Sequence, residues 1–203
     1  MPVTRTTRCI AFEGPRRIAE GALADVAART KAVLDRGSGA PVLLFDAATS
    51  EPVEVDFRGT LDEVLRRLPA GDAREEQQEE ASRGPEQRGP GRPRLGVVAR
   101  EVTLLPRHWE WLNRQPGGAS VALRRLVEEA RRASGGKDRL RAAQEAAYRF
   151  MSAMAGNQAH FEEAARALFA GDTARLHAMT AKWPKDIREH AQKLAAACQQ
   201  IAA

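Results

Sequence analysis

The first seventy residues alternate between apolar and polar side chains in a way that predicts a hairpin followed by a helix. In TRCIAFEGPRRIAEG, Ile10 and Phe12 share one face of a strand with Arg8, and a Gly-Pro pair breaks the run. The segment ALADVAARTKAVLDRG then carries apolar residues at helical spacing and stops at Gly37.

A second strand pair and a short helix are predicted next. In PVLLFDAATSEPVEVDF, Val53, Val55 and Phe57 alternate with acidic residues, which indicates one buried and one solvated face. In TLDEVLRRLP, Thr60 and Glu63 have the spacing of a capping box, which satisfies two backbone N–H groups at a helix start.

The pattern divides the chain into four parts. Residues 1–69 are predicted to form a small α+β domain with the order ββαββα. Residues 70–95 are rich in Glu, Gln, Gly, Pro and Arg, so they bury too little surface to offset chain entropy and are predicted to be a disordered linker of mixed charge. Residues 96–134 carry a β-rich run and two helices, and residues 135–203 are predicted to be all-helical. The predicted fold class is therefore α+β with a C-terminal helical bundle.

The helix ends of the C-terminal part are marked by capping residues. Asn157 is predicted to cap the helix that Gly171 ends, Asp172 is predicted to cap the next, and Pro184 suits the first turn of the last.

Composition and charge narrow the class of protein. The chain has 203 residues, of which 43% are hydrophobic and 29% charged, as in soluble globular proteins. No apolar run approaches the roughly 18 residues that cross a bilayer, and the N-terminus lacks a signal-peptide core, so we expect a cytoplasmic protein with no membrane partner. Cys9 and Cys198 lie at opposite ends, which argues against a disulfide framework.

Basic residues are concentrated in the middle of the chain. Residues 83–149 hold 15 basic and 7 acidic groups, a net charge of +8, whereas the whole chain carries +5. This distribution is typical of a nucleic-acid footprint, and equally of a solvated arginine-rich helix face.

Catalytic and metal-binding motifs are not found. The four histidines (His108, His160, His177 and His190) have no metal-ligand spacing and are predicted to lie on helix faces or the surface. Since nucleophile and phosphate-loop motifs are also missing, we expect no enzyme activity, no catalytic residues, no cofactor and no metal. A small enzyme whose pocket is invisible in the sequence is the remaining alternative.

Two basic segments suggest contact with DNA. GPGRPRLG is similar to an AT-hook core, in which arginines follow the minor groove, but Pro90 stands where the first arginine belongs and only Arg92 and Arg94 remain. The other interpretation of this segment is a basic linker.

The second basic segment is REVTLLPRHWEWLNRQPGGASVALRRLVEEARR. Its β-rich run ends at Pro106, which suits a helix start, and a PGGAS break precedes a second helix for which Ser120 is a candidate cap. In that second helix Leu123, Leu126 and Val127 fall on one face.

This order over residues 98–132 resembles the ribbon-helix-helix family of DNA-binding proteins. The resemblance implies a homodimer in which the 98–105 strands of two chains pair into a ribbon that enters the major groove. It also implies that N–H groups at the start of the second helix, at Gly118 and Ser120, bind a phosphate.

The strand has no clear reading face in either register. One register turns Arg100 outward with Val102 and Leu104, and the other turns Thr103 outward with Glu101 and Leu105. Which face points outward stays open at this point.

A wider resemblance covers nearly the whole chain. GRPRLGVVAREVTLLPRHWEWLNRQPGGASVALRRLVEEARR, AAYRFMSAMAG and ALFAGDTARLHAMTAKWP are together similar to the bacterial family named domain of unknown function 2239. The resemblance implies a bacterial cytosolic protein and carries no activity with it.

Our hypothesis from the sequence is a non-enzymatic DNA-binding protein of ribbon-helix-helix type, a transcriptional or antitoxin-like regulator whose partner is double-stranded DNA. The alternative is a protein-interaction or dimerisation module without DNA binding, and the N-terminal domain is expected to have a protein partner. The residues expected to bind nucleic acid are Arg100, Thr103, Arg107, Arg92, Arg94, Gly118 and Ser120.

Overall fold

The computed structural model describes residues 3–37, 39–70 and 100–202. These residues form two compact units. The first unit comprises the two N-terminal ranges together with residues 136–202, and the second comprises residues 100–135.

Three strands and seven helices lie in the described residues. The strands are β1 (Arg8–Glu13), β2 (Arg16–Ala22) and β3 (Val42–Asp46). The helices are α1 (Leu23–Leu34), α2 (Leu61–Arg67), α3 (Pro106–Asn113), α4 (Gly118–Ala155), α5 (Phe161–Ala170), α6 (Thr173–Thr180) and α7 (Lys185–Ala202). The predicted α+β class is confirmed. Among these helices none combines the length and apolar character needed to cross a membrane.

The sheet of the first unit has the antiparallel order β2-β1-β3, so β1 is the central strand. Because successive side chains of a strand point to opposite faces, β1 contributes to two cores. Ile10 and Phe12 belong to one hydrophobic cluster, and Cys9 and Ala11 belong to the other, all with no exposed surface.

The two clusters cover the two faces of the sheet. On one face, the rings of Phe12 and Phe45 lie 5.4 and 5.7 Å from that of Phe150 in α4. On the other face, Leu23 and Val26 of α1 pack with the second cluster. The N-terminal sheet thus shares a core with the C-terminal helices, while the predicted domain boundaries near residues 69 and 135 stay predictions.

The predicted fourth strand, over residues 53–57, is wrong. Pro52 forms a single bridge to Phe45, and the last ladder bond joins the Val53 N–H to the Leu44 carbonyl at 2.9 Å. Pro52 is tolerated at this position because Phe45 and Pro52 are a pair whose own N–H groups do not bond across, the flanking bonds being Asp46 N–H to Glu51 and Val53 N–H to Leu44. The predicted alternation of burial is still present, since Val53 is buried and the acidic side chains are exposed.

Most of the predicted helix ends are confirmed. Thr60 and Glu63 form the capping box, with the Thr60 N–H donating to Glu63 Oε2 at 2.7 Å. Gly171 ends α5 with a φ of 70°, and the Asp172 carboxylate accepts from the Arg175 N–H at 2.9 Å.

The predicted Asn157 cap is wrong. Helix α5 begins four residues later, at Phe161, and is preceded by His160 with a φ of 63°. Asn157 lies in the turns that close α4, where the Gln158 N–H donates to the Ala155 carbonyl.

Helix α4 is longer than predicted. We expected a helix end near residue 134, but α4 continues through Ser134, Gly135 and Gly136. Glycine weakens a helix by about 1 kcal/mol relative to alanine yet keeps its N–H, so it does not end the helix as proline would. The Ser134 hydroxyl, which donates to the Ala130 carbonyl at 2.8 Å, is accommodated inside the helix.

His190 was predicted to lie on a helix face or the surface; it lies on a face of α7 that is buried in the first unit. Its ring packs edge-on against Phe150 at 4.5 Å, and its Nδ1 atom has no hydrogen-bond partner among the described residues. Burial is the largest cause that lowers the pKa of His190, to about 4. The positive charges of Lys193 and Arg17 also lower this pKa, and the negative charge of Glu20 opposes them.

We expect the pKa of His190 to make the protein less stable in mild acid. An unfolded histidine titrates near pH 6.5, whereas folded His190 takes up a proton only near pH 4, so stability falls as the pH drops between these values. The expected loss between pH 7 and pH 5 is about 2 kcal/mol, measured by urea unfolding. His190→Leu should flatten this dependence, and His177→Gln, on an exposed histidine, should leave it intact. An unchanged pH dependence in His190→Leu contradicts the assignment.

We also expect Gly136→Ala to raise helical content and stability by about 0.5–1 kcal/mol. An added Cβ meets nothing within 4 Å at this position. The matched control is Gly117→Ala, just before α4, where φ is +83° and the new Cβ lies 3.1 Å from Val121, so the change should destabilise. Circular dichroism and denaturation midpoints measure both, and a loss of helix in Gly136→Ala opposes the continuous α4.

Candidate nucleic-acid interface

The second unit begins with an extended segment that leads into α3. Leu105 has φ −66° and ψ 149°, and the His108 N–H donates to its carbonyl at 2.8 Å. Pro106 is the first residue of the helix, where its missing N–H costs nothing. The predicted first helix of this segment is therefore confirmed.

Residues 100–105 form no ladder with the described strands. A ribbon strand has its partner on a second chain, so the pairing of residues 98–105 stays a prediction. Val102 is 54% exposed and Thr103 is exposed, whereas Leu104 is half-buried. The partial burial of Leu104 favours the register in which Thr103 points away from the helices.

The turn between α3 and α4 depends on two glycines. Gly117 and Gly118 have φ values of 83° and 74°, which side chains with a Cβ rarely adopt. Helix α4 begins at Gly118, so the prediction of Ser120 as its cap is wrong. Ser120 lies inside the first turn, where backbone N–H groups have no acceptor within the helix.

Most large apolar side chains of the second unit are exposed. Among residues 100–135 only Leu112 and Ala122 are buried. The exposed side chains, which we call the apolar surface, are Val102, Leu105, Trp109, Trp111, Val121, Leu126 and Val127. Val127, at 63%, is the most exposed of them. This unit therefore has very little core of its own.

Arginines near the start of the unit lack acidic partners. Four arginines have no carboxylate oxygen of the described residues within 4.0 Å, and we call them the four open arginines: Arg100, Arg107, Arg114 and Arg124. The Arg124 Nε atom instead donates to the Ser120 carbonyl at 3.1 Å.

Further along α4 the arginines are paired. Arg131 and Arg132 both contact Glu128, at 2.9 and 3.1 Å, and hydrogen bonds from Arg131 and then Arg132 lower the pKa of that carboxyl. Arg125 lies 3.8 Å from Glu129. The uncompensated positive charge is thus concentrated in the extended segment, α3 and the first turns of α4.

Some of the predicted site residues can be placed and others cannot. Arg100, Thr103 and Arg107 are exposed in the second unit, and Gly118 and Ser120 lie in the first turn of α4. Arg92 and Arg94 lie outside the described residues.

Trp111 and Arg114 were missed in the sequence. With Arg107 they occupy positions i, i+4 and i+7, which lie on one side of α3. Trp111 is 49% exposed. The residue types and their spacing were a usable signal, because Trp and Arg are enriched among the residues that dominate interface energetics.

Nothing in the described ranges indicates a metal centre. There, no three His, Cys, Asp or Glu side chains come together in a way that suits a metal ion.

Residues 8–195 match the model of a family described as an uncharacterised protein conserved in bacteria, domain of unknown function 2239. The chain belongs to this family. The resemblance noted in the sequence is therefore confirmed, and the domain 2239 match spans the sheet, the candidate interface and most of the C-terminal helices. No curated protein and no solved structure matches the chain. The domain 2239 description carries no activity, so function has to be argued from the geometry.

Proposed function

We propose that residues 96–134 pair between two copies of the chain and that the paired segment binds double-stranded DNA, as in a cytoplasmic transcriptional or antitoxin-like regulator. The observation that carries this proposal is the coincidence of the apolar surface with the four open arginines in one segment of 36 described residues, 100–135. A protein partner for residues 1–69 remains part of the same proposal.

Pairing follows from the small core. A unit of this size buries too little apolar surface to be stable alone, and a second copy offers an identical apolar surface related by a two-fold axis. Burying a side chain such as Leu126 or Val127 contributes about 1.5–3 kcal/mol. The seven side chains of the apolar surface are 37–63% exposed, so each can contribute only the matching part of that free energy towards an association cost of about 4–15 kcal/mol.

DNA binding follows from the charge that pairing leaves exposed. A two-stranded ribbon fits the major groove, where Thr103 would meet base edges in the register that the partial burial of Leu104 favours, and Arg100 would do so in the other register. Arg107 and Arg114 on α3 would contact the phosphates that flank the groove. The Ser120 N–H lies in the first turn of α4, at the positive end of the helix dipole, and would contact a phosphate there. The Gly118 N–H already donates to the Gln115 carbonyl at 2.9 Å, so Gly118 would contribute through the shape of the turn. Arg92 and Arg94 would reach the backbone or minor groove from the preceding segment.

The lack of an acidic partner for Arg100 favours DNA binding over a pure dimerisation module. A scaffold strand would pair Arg100 with an acid, but no carboxylate lies within 4.0 Å of it in the described residues. The exposure of Val102 does not separate the two functions, because pairing of two chains would bury it in either case.

We expect the full chain to be a dimer at micromolar concentration in sedimentation velocity. The double change Leu126→Glu with Val127→Glu should give monomers, because it places charges on the apolar surface. Both side chains are exposed in the single chain, so the fold should survive. Leu61→Glu is the matched control, since Leu61 is 40% exposed in the first unit, close to the 37% of Leu126. A monomeric wild type, or a double variant that stays dimeric, would contradict pairing through this surface.

We expect the full chain to bind mixed-sequence duplex DNA with a steep salt dependence in fluorescence anisotropy. Each phosphate contact adds about 0.9 to the slope of log affinity against log salt, so about six contacts weaken binding by roughly a thousandfold between 50 and 200 mM salt. The double change Arg107→Ala with Arg114→Ala should reduce this slope by about 0.9 for each substituted arginine in the DNA-bound dimer.

The control removes the same charge elsewhere. Arg131→Ala with Arg132→Ala should change the slope less, because Glu128 already neutralises part of their charge. Equal slopes in the two double variants would rule out specific contacts by α3. Dimers that fail to bind duplex DNA at low salt would overturn DNA binding and leave the dimerisation module.

A further inference from the structure

A cavity of about 380 Å³ lies in the helical part of the first unit, bordered by α4, the turn between α5 and α6, and α7. Its apolar walls include Leu140, Leu168, Phe169, Leu176 and Ala195. This volume falls within the range of about 300–1,000 Å³ that is typical of small-molecule pockets.

Side-chain oxygen atoms predominate among the free polar atoms of this cavity. The Gln144 Nε2 atom already donates to the carbonyls of Leu168 and Phe169, at 3.3 and 3.4 Å, so the Gln144 oxygen is its unused group. The Gln199 Nε2 atom donates to the Gly171 carbonyl, which leaves its oxygen and one N–H. The Thr173 hydroxyl also lines the cavity and can accept or donate.

The electrostatics of the cavity favour a cation. Asp172 is the charged side chain among the described lining residues, and its Oδ1 atom is taken by the Arg175 N–H. Helix α5 ends at the cavity without a basic residue in its last turn, and its terminal carbonyls accept from the neutral amides of Gln144 and Gln199, so no positive side chain of the described lining offsets Asp172. The ring of Phe169, 51% exposed, adds an aromatic face of the kind that attracts cations.

We propose that this cavity binds an organic cation that carries a short aliphatic chain, such as a primary alkylamine. An ammonium group has three N–H donors and no acceptor, which suits the oxygen atoms of Gln144, Gln199 and Asp172. The chain would pack against Leu140 and Leu176. This inference does not rest on DNA binding, since every residue that it uses belongs to the first unit.

The test is to titrate the full chain with hexylammonium, hexanol and hexanoate and to follow chemical shifts by NMR. Hexylammonium should bind about fivefold more tightly than hexanol, as expected for one ion pair open to solvent, and hexanoate should bind most weakly. Hexanol or hexanoate binding as tightly as hexylammonium would overturn the proposal.

Three variants locate the site. Asp172→Asn should abolish the preference for hexylammonium over hexanol while keeping the helix cap, because Asn and Asp cap equally well. Glu162→Gln, at the opposite end of α5, should keep the preference. Ala202→Phe, on an exposed residue that borders the cavity, should weaken binding of both ligands at least tenfold. Unchanged binding in Ala202→Phe, or an unchanged preference in Asp172→Asn, would refute the site.

Discussion

The packing of Phe12 and Phe45 against Phe150 joins the two ends of the chain in one core. Both faces of strand β1 carry buried side chains that pack against helices, and exposing either face to water would lose the free energy of that burial. The sheet therefore depends on helices that begin more than a hundred residues later in the chain. His190 is buried by the same ring of Phe150, so its low pKa is a consequence of this packing.

In the second unit, most of the large apolar side chains are exposed instead of buried. Its helices are well formed, with Pro106 at the start of α3 and paired glycines before α4, yet only Leu112 and Ala122 are buried. Local sequence signals are thus sufficient to specify the helices, whereas the burial that stabilises them has to come from elsewhere. The same helix, α4, buries Ala147, Phe150 and Met151 where it belongs to the first unit. The two parts of α4 therefore differ in what packs against them and not in their helix propensity.

Sequence patterns predicted several features that depend on neighbouring residues. The capping box at Thr60, the helix end at Gly171 and the Asp172 cap need only a few adjacent positions, and all three are confirmed. Local signals also failed twice, because α5 begins four residues after Asn157 and α4 begins two residues before Ser120.

Other features depend on distant partners. The segment 53–57 pairs with β3 only through the bridge at Pro52, and the burial of His190 depends on Phe12 and Phe150. The acceptors of the cavity were invisible because Gln144, Asp172 and Gln199 meet only in the folded chain.

Uncovered apolar surface and uncompensated charge place different requirements on a partner. The exposed Leu126 and Val127 are satisfied by any apolar surface of matching shape, so they favour association without selecting a ligand. The open arginines Arg107 and Arg114 need an anion at a fixed spacing, because a guanidinium donates its hydrogen bonds in a rigid plane. Pairing of two copies, as proposed above, would satisfy the first requirement and double the second. A polyanion with local two-fold symmetry, such as duplex DNA, would then suit the second requirement, because a two-fold axis relates its phosphates as another relates the arginines of the paired chains.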